Sequence, residues 1–140
     1  MKAYQKNDAG LWIDRRNAVI VSITDEGETI ERVKSNVERK VRLSGGSRTA
    51  KTPYGPQQVA VDGKQEDRIK RQLRKYYQEI IRRIQDANQI LILGPGEAKI
   101  EIKKEIQKSR ELALSKISVE PADKMTEKQI AAKVRQFFAG

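Results

Sequence analysis

The sequence predicts an α/β protein built on a mixed five-stranded sheet with three helices. Three observations carry this expectation. Ile90, Leu91, Ile92 and Leu93 form a run without polar interruption, bounded by Gly94, the pattern of a parallel strand buried on both faces and set mid-sheet. Before that run, three strand-like stretches are separated by hairpin-length connections. After it, helical periodicity recurs on either side of one further strand.

Residues 1–8 are polar and are expected to be loose. Leu11, Trp12, Ile13 and Asp14 read as a first strand, and residues 17–23 as a second, with Arg15, Arg16 and Asn17 as the connection. Asp25, Glu26 and Gly27 supply a second turn, with Gly27 available for a positive φ. Residues 28–33 alternate imperfectly, with Thr29 and Glu31 pointing one way and Ile30 and Arg32 the other, as on an edge strand. The three form an antiparallel meander.

Residues 38–63 break the pattern. Gly, Ser, Pro and basic residues dominate, and a structureless stretch longer than about 12–15 residues inside a domain is usually functional or disordered. A long, basic, mobile loop is expected there, with a short extended piece around Val59–Val61. Residues 64–87 carry the longest helix, with Ile69, Leu73, Tyr76 or Tyr77, Ile80, Ile84 and Ala87 at the 3.6-residue period. One of the two tyrosines is expected in the core and the other outside it. The run at residues 90–93 follows. Gly94, Pro95 and Gly96 then form a structural turn, with Pro95 at the first helical position and Glu97 in the first turn. The second helix is expected to run to about Leu114. Its inner stripe is Ala98, Ile102 and Ile106, and its lysines pair with Glu97, Glu101 and Glu105 on the solvent face. Residues 116–120 make a fifth strand closed by Pro121. Thr126 and Gln129 form a capping box for the last helix, whose core face is Ile130, Ala131, Val134, Phe137 and Phe138. A meander followed by two βα units, with right-handed crossovers, is the ribonuclease H-like plan.

The 140 residues make one domain, with no internal repeat. No stretch approaches the roughly 20 apolar residues of a membrane helix, and no signal-peptide run opens the chain. Cytoplasmic residence is the default expectation. The chain has no cysteine and no histidine, which excludes disulfides, thiolate chemistry, His-dependent triads and His-based zinc sites. No cofactor or metal is expected.

The net charge is +10, and residues 32–83 hold 15 Lys/Arg against 5 Asp/Glu, so the whole excess lies in that segment. An excess so confined points to a polyanion-binding face, most often for RNA; the plain alternative is a solvated basic helix. The expected phosphate contacts are Arg39, Lys40, Arg42, Arg48 and Lys51 on the loop, and Arg68, Arg71, Arg74 and Lys75 on the helix. Tyr54 is a candidate for stacking on a base. Gly94, Pro95 and Gly96 could hold an anion at a helix N-terminus, but Glu97 already places negative charge there, and the structural reading is preferred. Asp14, at the end of the first strand, is the position a two-metal nuclease would use, but no second and third acid accompany it.

Trp12, Ile13, Asp14 and Arg15, then residues 90–99 with their Gly-Pro-Gly turn, then Val119, Glu120 and the helix that follows, resemble a family of small bacterial "translational machinery" proteins. These are similar to the middle domain of eukaryotic and archaeal class-one release factors and of Pelota. The resemblance spans roughly residues 9–138. It implies the ribonuclease H-like fold and an association with ribosomes, ribosomal RNA or tRNA. In release factors the matching loop carries Gly-Gly-Gln, whose glutamine promotes ester hydrolysis. Here the loop has Gly45, Gly46, Ser47 and Arg48, with no glutamine at the third position, and Gln57 and Gln58 follow later. A non-enzymatic RNA- or ribosome-associated protein is therefore the first expectation. A peptidyl-tRNA ester hydrolase using the loop is the alternative. A protein-interaction module is a third, since some related bacterial proteins carry host-attachment labels. The partner within the ribosome and the oligomeric state are open.

Overall fold

A computed structural model describes residues 7–35, 37, 55–110, 112 and 115–139, with the backbone alone for 55–65. The strands are β1 (Asn7–Ile13), β2 (Asn17–Thr24), β3 (Gly27–Lys34), β4 (Gln89–Gly94) and β5 (Lys116–Pro121). Among the described residues the long helices are α1 (Gly55–Arg83), α2 (Ala98–Lys108) and α3 (Glu127–Ala139). The sheet order is β3-β2-β1-β4-β5, antiparallel from β1 to β3 and parallel where β4 meets β1 and β5. This is the expected mixed sheet. The strand at its middle, however, is β1 rather than β4.

β1 also begins earlier than its side chains announce. Asn7 and Asp8 are polar, yet Asp8 is only 3% exposed, and both sit opposite Thr24 and Ile23 of β2. Asn88 N–H donates to Asn7 O at 2.7 Å on the other side, and the Gln89 amide lies 3.5 Å from the Asp8 carboxylate. A ladder on both sides satisfies the backbone whatever the side chain, so β-structure extends into a polar stretch.

The pleat divides the core. Leu11, Ile13, Ile20, Ile90 and Ile92 face α1 and α2. Trp12, Val21, Leu91 and Leu93 face Ile130, Ala131 and Val134 of α3. Each large aliphatic chain buried this way contributes about 1.5–3 kcal/mol. Gly10 lies where α3 comes closest: a Cβ there would meet Val134 Cγ2 at 2.3 Å. Trp12 Nε1 donates to Asp123 O at 3.0 Å and anchors the segment leading into α3. The capping box forms reciprocally: Thr126 N–H donates to Gln129 Oε1 at 2.9 Å, and Gln129 N–H to Thr126 Oγ1 at 3.1 Å. Phe137, expected in the core, is 36% exposed, and only Phe138 packs against it.

The β4–α2 junction departs from expectation in two ways. α2 starts at Ala98, so Pro95 precedes the helix, and Glu97 is its N-cap without a side-chain bond. α2 ends at Lys108, short of Leu114, while Leu112 still reaches the core. Gly94 has φ +152°, and its Cβ would stand 2.1 Å from Ile13 O; Gly96 has φ +65° with open space around it. Gly94 is thus required by the neighbouring strand, and Gly96 only by its own dihedral.

Both Tyr76 and Tyr77 are buried, at 4% exposure each, where one was expected outside. α1 packs on the sheet and on α2 together, so its apolar stripe is wide enough for adjacent residues. Tyr76 Oη donates to Asp14 O at 2.8 Å, and Tyr77 Oη to the Glu101 carboxylate at 2.5 Å. Glu101 also pairs with Arg15, which draws it away from the lysine row of α2. The Glu101 hydrogen bond raises the Arg15 guanidinium above its ordinary value. Burial, with the Asp14 charge, pushes the Tyr76 hydroxyl far up; burial, then the Glu101 hydrogen bond, does the same for Tyr77.

Two predictions follow from this packing. Gly94→Ala should cost roughly 2–4 kcal/mol and lower Tm by about 5–10 °C, whereas Gly96→Ala should cost about 1 kcal/mol; equal losses in thermal melts would contradict the assigned contact with Ile13. Because both tyrosines hold their protons more tightly in the folded chain, stability is complete below the unfolded tyrosine value near 10 and falls as pH rises above it. The decline should reach up to roughly 1.4 kcal/mol per pH unit for each tyrosine, and a Tyr76→Phe/Tyr77→Phe variant should lose most of that component in urea titrations between pH 9 and 11.

Candidate nucleic-acid interface

α1 divides its residues between two tasks. Leu73, Tyr76, Tyr77, Ile80, Ile81 and Ile84 point inward. Arg68, Lys70, Arg71, Arg74 and Lys75 are exposed on its outer side. None of these five forms an ion pair with another described residue. Glu66 and Asp67 stand exposed at the N-terminal end of this row and form no ion pair with it among the described residues, while Glu79, at its other end, is engaged by its own helix, with Arg82 at 2.6 Å and Arg83 at 2.8 Å. The Arg83 and Arg82 hydrogen bonds hold the Glu79 carboxyl below its usual range. Arg83 reaches on to Glu31 of β3 at 2.6 Å, and these two carboxylates raise its guanidinium further. The C-terminal arginines of α1 are thus tied down, and the cations about two to four turns earlier are not.

An open groove of about 870 Å³ runs between the outer side of α1 and the end of α2. It is lined by five basic and two acidic side chains, with Ile81 and the glutamines Gln78 and Gln85 among them. Glu105, one of the two acids, lies 3.7 Å from Lys108, and the other is Glu79. Both acids therefore carry a basic neighbour, and Arg71, Arg74 and Lys75 leave the groove net positive. A row of cations at helical spacing beside an open cleft suits a phosphodiester backbone, which presents charge at regular intervals.

Of the residues expected at this interface, Arg68, Arg71, Arg74 and Lys75 share one helix face, and the last three line one groove. Arg39, Lys40, Arg42, Arg48, Lys51 and Tyr54, with Gly45, Gly46 and Ser47, lie outside the described residues. Gln57 and Gln58 were expected on a loop. They stand in the first turn of α1, which begins at Gly55 and not at residue 64. Gly63 likewise lies inside the helix. Composition marks residues 55–63 as loop because Gly and Pro are read as breakers, yet Pro56 at the start of a helix is well tolerated. Sequence reasoning did not single out Arg82, Gln85 or Lys108 as groove residues; the i,i+3 and i,i+4 spacing from Arg71 and Lys75 along α1 was the available signal for the first two.

The other candidate positions are structural. The Asp14 carboxylate accepts from the backbone N–H groups of Arg16 and Asn17, at 2.8 and 2.7 Å, and closes the β1–β2 turn. Among the described residues, no group of three or more carboxylates is placed to hold a metal ion. At the Gly-Pro-Gly turn, Gly94 O accepts from Ala122 N–H at 3.1 Å, and the Lys99 ammonium donates to Gly96 O. Glu97 and Glu101 converge there on Arg15, so carboxylates already occupy the helix end. No described helix is long and apolar enough to cross a membrane.

No family model matches the chain, and no curated protein does. Two solved structures of archaeal Pelota are similar to it. The Thermoplasma acidophilum protein is 19% identical, with all of this chain and 34% of that one covered and a TM-score of 0.46. Archaeoglobus fulgidus Pelota is 10% identical over 95% of this chain and 32% of that one, with a TM-score of 0.55. The chain spans about a third of the length of these proteins. With the Archaeoglobus structure it shares the fold, the ribonuclease H-like arrangement expected from the order of its elements.

Proposed function

We propose that this protein binds RNA of the translation apparatus, ribosomal RNA or tRNA, through the outer face of α1 and the groove beside α2. The observation that carries the reading is the set of exposed cations at Arg68, Arg71, Arg74 and Lys75, none of which forms an ion pair with a described carboxylate. The basic residues at 39–51 continue the same charge excess in sequence and are the second half of the proposed contact. RNA is preferred among polyanions because of the resemblance to release-factor middle domains. A translation-related role also suits the fold shared with Pelota.

Recognition on this reading is by phosphate rather than by base. The arginines offer planar, multiply donating heads suited to phosphate oxygens, and Gln78 and Gln85 add neutral donors along the groove. Contacts of this kind give modest affinity, little sequence preference and a steep dependence on salt. The reading assigns no catalytic group: it needs none of the carboxylates, and it does not use Gln57 or Gln58 as a displayed glutamine.

Co-sedimentation with ribosomes at low salt, followed by binding to purified ribosomal RNA and tRNA across a salt series, tests it. Wild-type protein should pellet with ribosomes at low salt and be released as salt rises. Replacing Arg71, Arg74 and Lys75 together by Glu should weaken RNA binding at least about tenfold near 0.1 M salt. The slope of log K against log salt should also lose roughly 0.7–0.9 per phosphate contact removed. The three positions are exposed, so thermal stability should stay within about 1 kcal/mol of wild type. Absence of ribosomal or RNA association at any salt, or a slope unchanged in the triple variant, would refute the proposal.

A further inference from the structure

β3 ends the sheet on its side and pairs with β2 in an unbroken register. The parity of its hydrogen bonds follows from the flanking turns. Ser35 N–H donates to Arg16 O at 2.9 Å, and Asp14 N–H to Asn17 O at 3.0 Å. Antiparallel ladders alternate bonded and non-bonded pairs, so Gly27, Thr29, Glu31 and Val33 direct their backbone groups to β2. Glu28, Ile30 and Arg32 direct theirs outward. A regular edge of this kind is a template for another strand.

The side chains of these three residues lie on the α3 side of the sheet. Glu28 pairs with Arg135 at 3.1 Å, and Arg32 pairs with Glu127. Between them Ile30 is 41% exposed, although it stands mid-strand opposite the buried Val21.

We propose that β3 pairs antiparallel with β3 of a second copy, about a twofold axis through Ile30, to make a homodimer with a continuous ten-stranded sheet. This register places Ile30 against its own mate and each Glu28 opposite the second copy's Arg32. The row then reads Arg135, Glu28, the second copy's Arg32 and Glu127, alternating in sign throughout. Neighbouring registers fail on the same residues. An axis at Glu31 sets that carboxylate against itself and Ile30 against Arg32. An axis at Arg32 opposes two guanidiniums, and an axis at Thr29 puts Ile30 against Glu28. Like charges directly opposite one another destabilise a sheet, and a carboxylate set against Ile30 forfeits the apolar cross-strand pair, so the Ile30 register is favoured. The axis is perpendicular to the sheet, which leaves both copies of α1 on the same side. The inference rests on the sheet edge and is independent of RNA binding.

The test is sedimentation equilibrium on nuclease-treated protein from micromolar to millimolar concentration. The wild-type mass should rise from 16.0 kDa to twice that value with concentration, and less so at high salt. Ile30→Pro removes only an outward N–H, which an edge strand tolerates, so it should keep the circular dichroism of the fold and remain monomeric. The chain has no cysteine, so Ile30→Cys provides a unique probe. Its mate would stand about 5.5 Å away between Cα atoms, within disulfide reach, and mild oxidation should cross-link it. In the same register Lys34→Cys would lie roughly 25 Å from its mate and should stay uncross-linked. A monomer at every concentration would overturn the proposal. So would a dimer that survives Ile30→Pro and cross-links equally at both cysteine positions.

Discussion

The parallel pairing of β1 with β4 is the constraint on which the rest of the molecule depends. Parallel strands leave no room for a tight connection, so the chain must cross over the sheet between them. The pairing also buries both strands on both faces, and each face then needs a helical layer. α1 and α2 cover one side and α3 the other. Two glycines record how closely the layers approach: Gly10 where α3 rests on β1, and Gly94 where the end of β4 passes under the carbonyl of Ile13. At both places a side chain would separate elements that the ladder holds together.

The same constraint sets the charge geometry. α1 is the crossover from the meander to β4, and its inner face is fixed by Tyr76 and Tyr77, whose hydroxyls reach Asp14 O and Glu101. With two adjacent tyrosines turned inward, the helix has no rotational choice, and Arg71, Arg74 and Lys75 must face outward beside α2. Several of the acids around them are drawn elsewhere, while Glu66 and Asp67, just before Arg68, stay exposed and make no ion pair with them among the described residues. Glu79 is taken by Arg82 and Arg83, Glu101 by Arg15 and Tyr77, and Glu31 by Arg83. A uniformly basic helix would repel itself. Here the C-terminal turn is neutralised while the middle turns keep their charge, and that contrast gives the groove its sign.

The two edges of the sheet are treated differently. β5 is six residues long and closes on Pro121, which has no N–H to offer. β3 is eight residues long, runs in regular register, and carries charges whose order is complementary to itself when reversed about Ile30. Edge charges ordinarily discourage pairing. On β3 they discriminate among registers, because only opposite signs meet in one of them.

The sequence by itself determined the order of the five strands and three helices, the inner stripe of α2, that of α3 as far as Val134, and the capping box at Thr126. These are local matters: period, turn chemistry and caps are set by neighbours within about four residues. It also located the basic segment and four of its cations, because charge is legible without a fold. Tertiary structure decided what depends on a second element. The polar residues Asn7 and Asp8 became strand because ladders flank them on both sides. Both tyrosines became core because α1 meets the sheet and α2 at once. Glu101 left the lysines of its own helix because Arg15 and Tyr77, distant in sequence, arrive beside it. The start of α1 at Gly55 overrode the glycines and proline that read as loop. Local propensity is worth about 1 kcal/mol per residue, which packing and long-range hydrogen bonds outweigh wherever the two conflict.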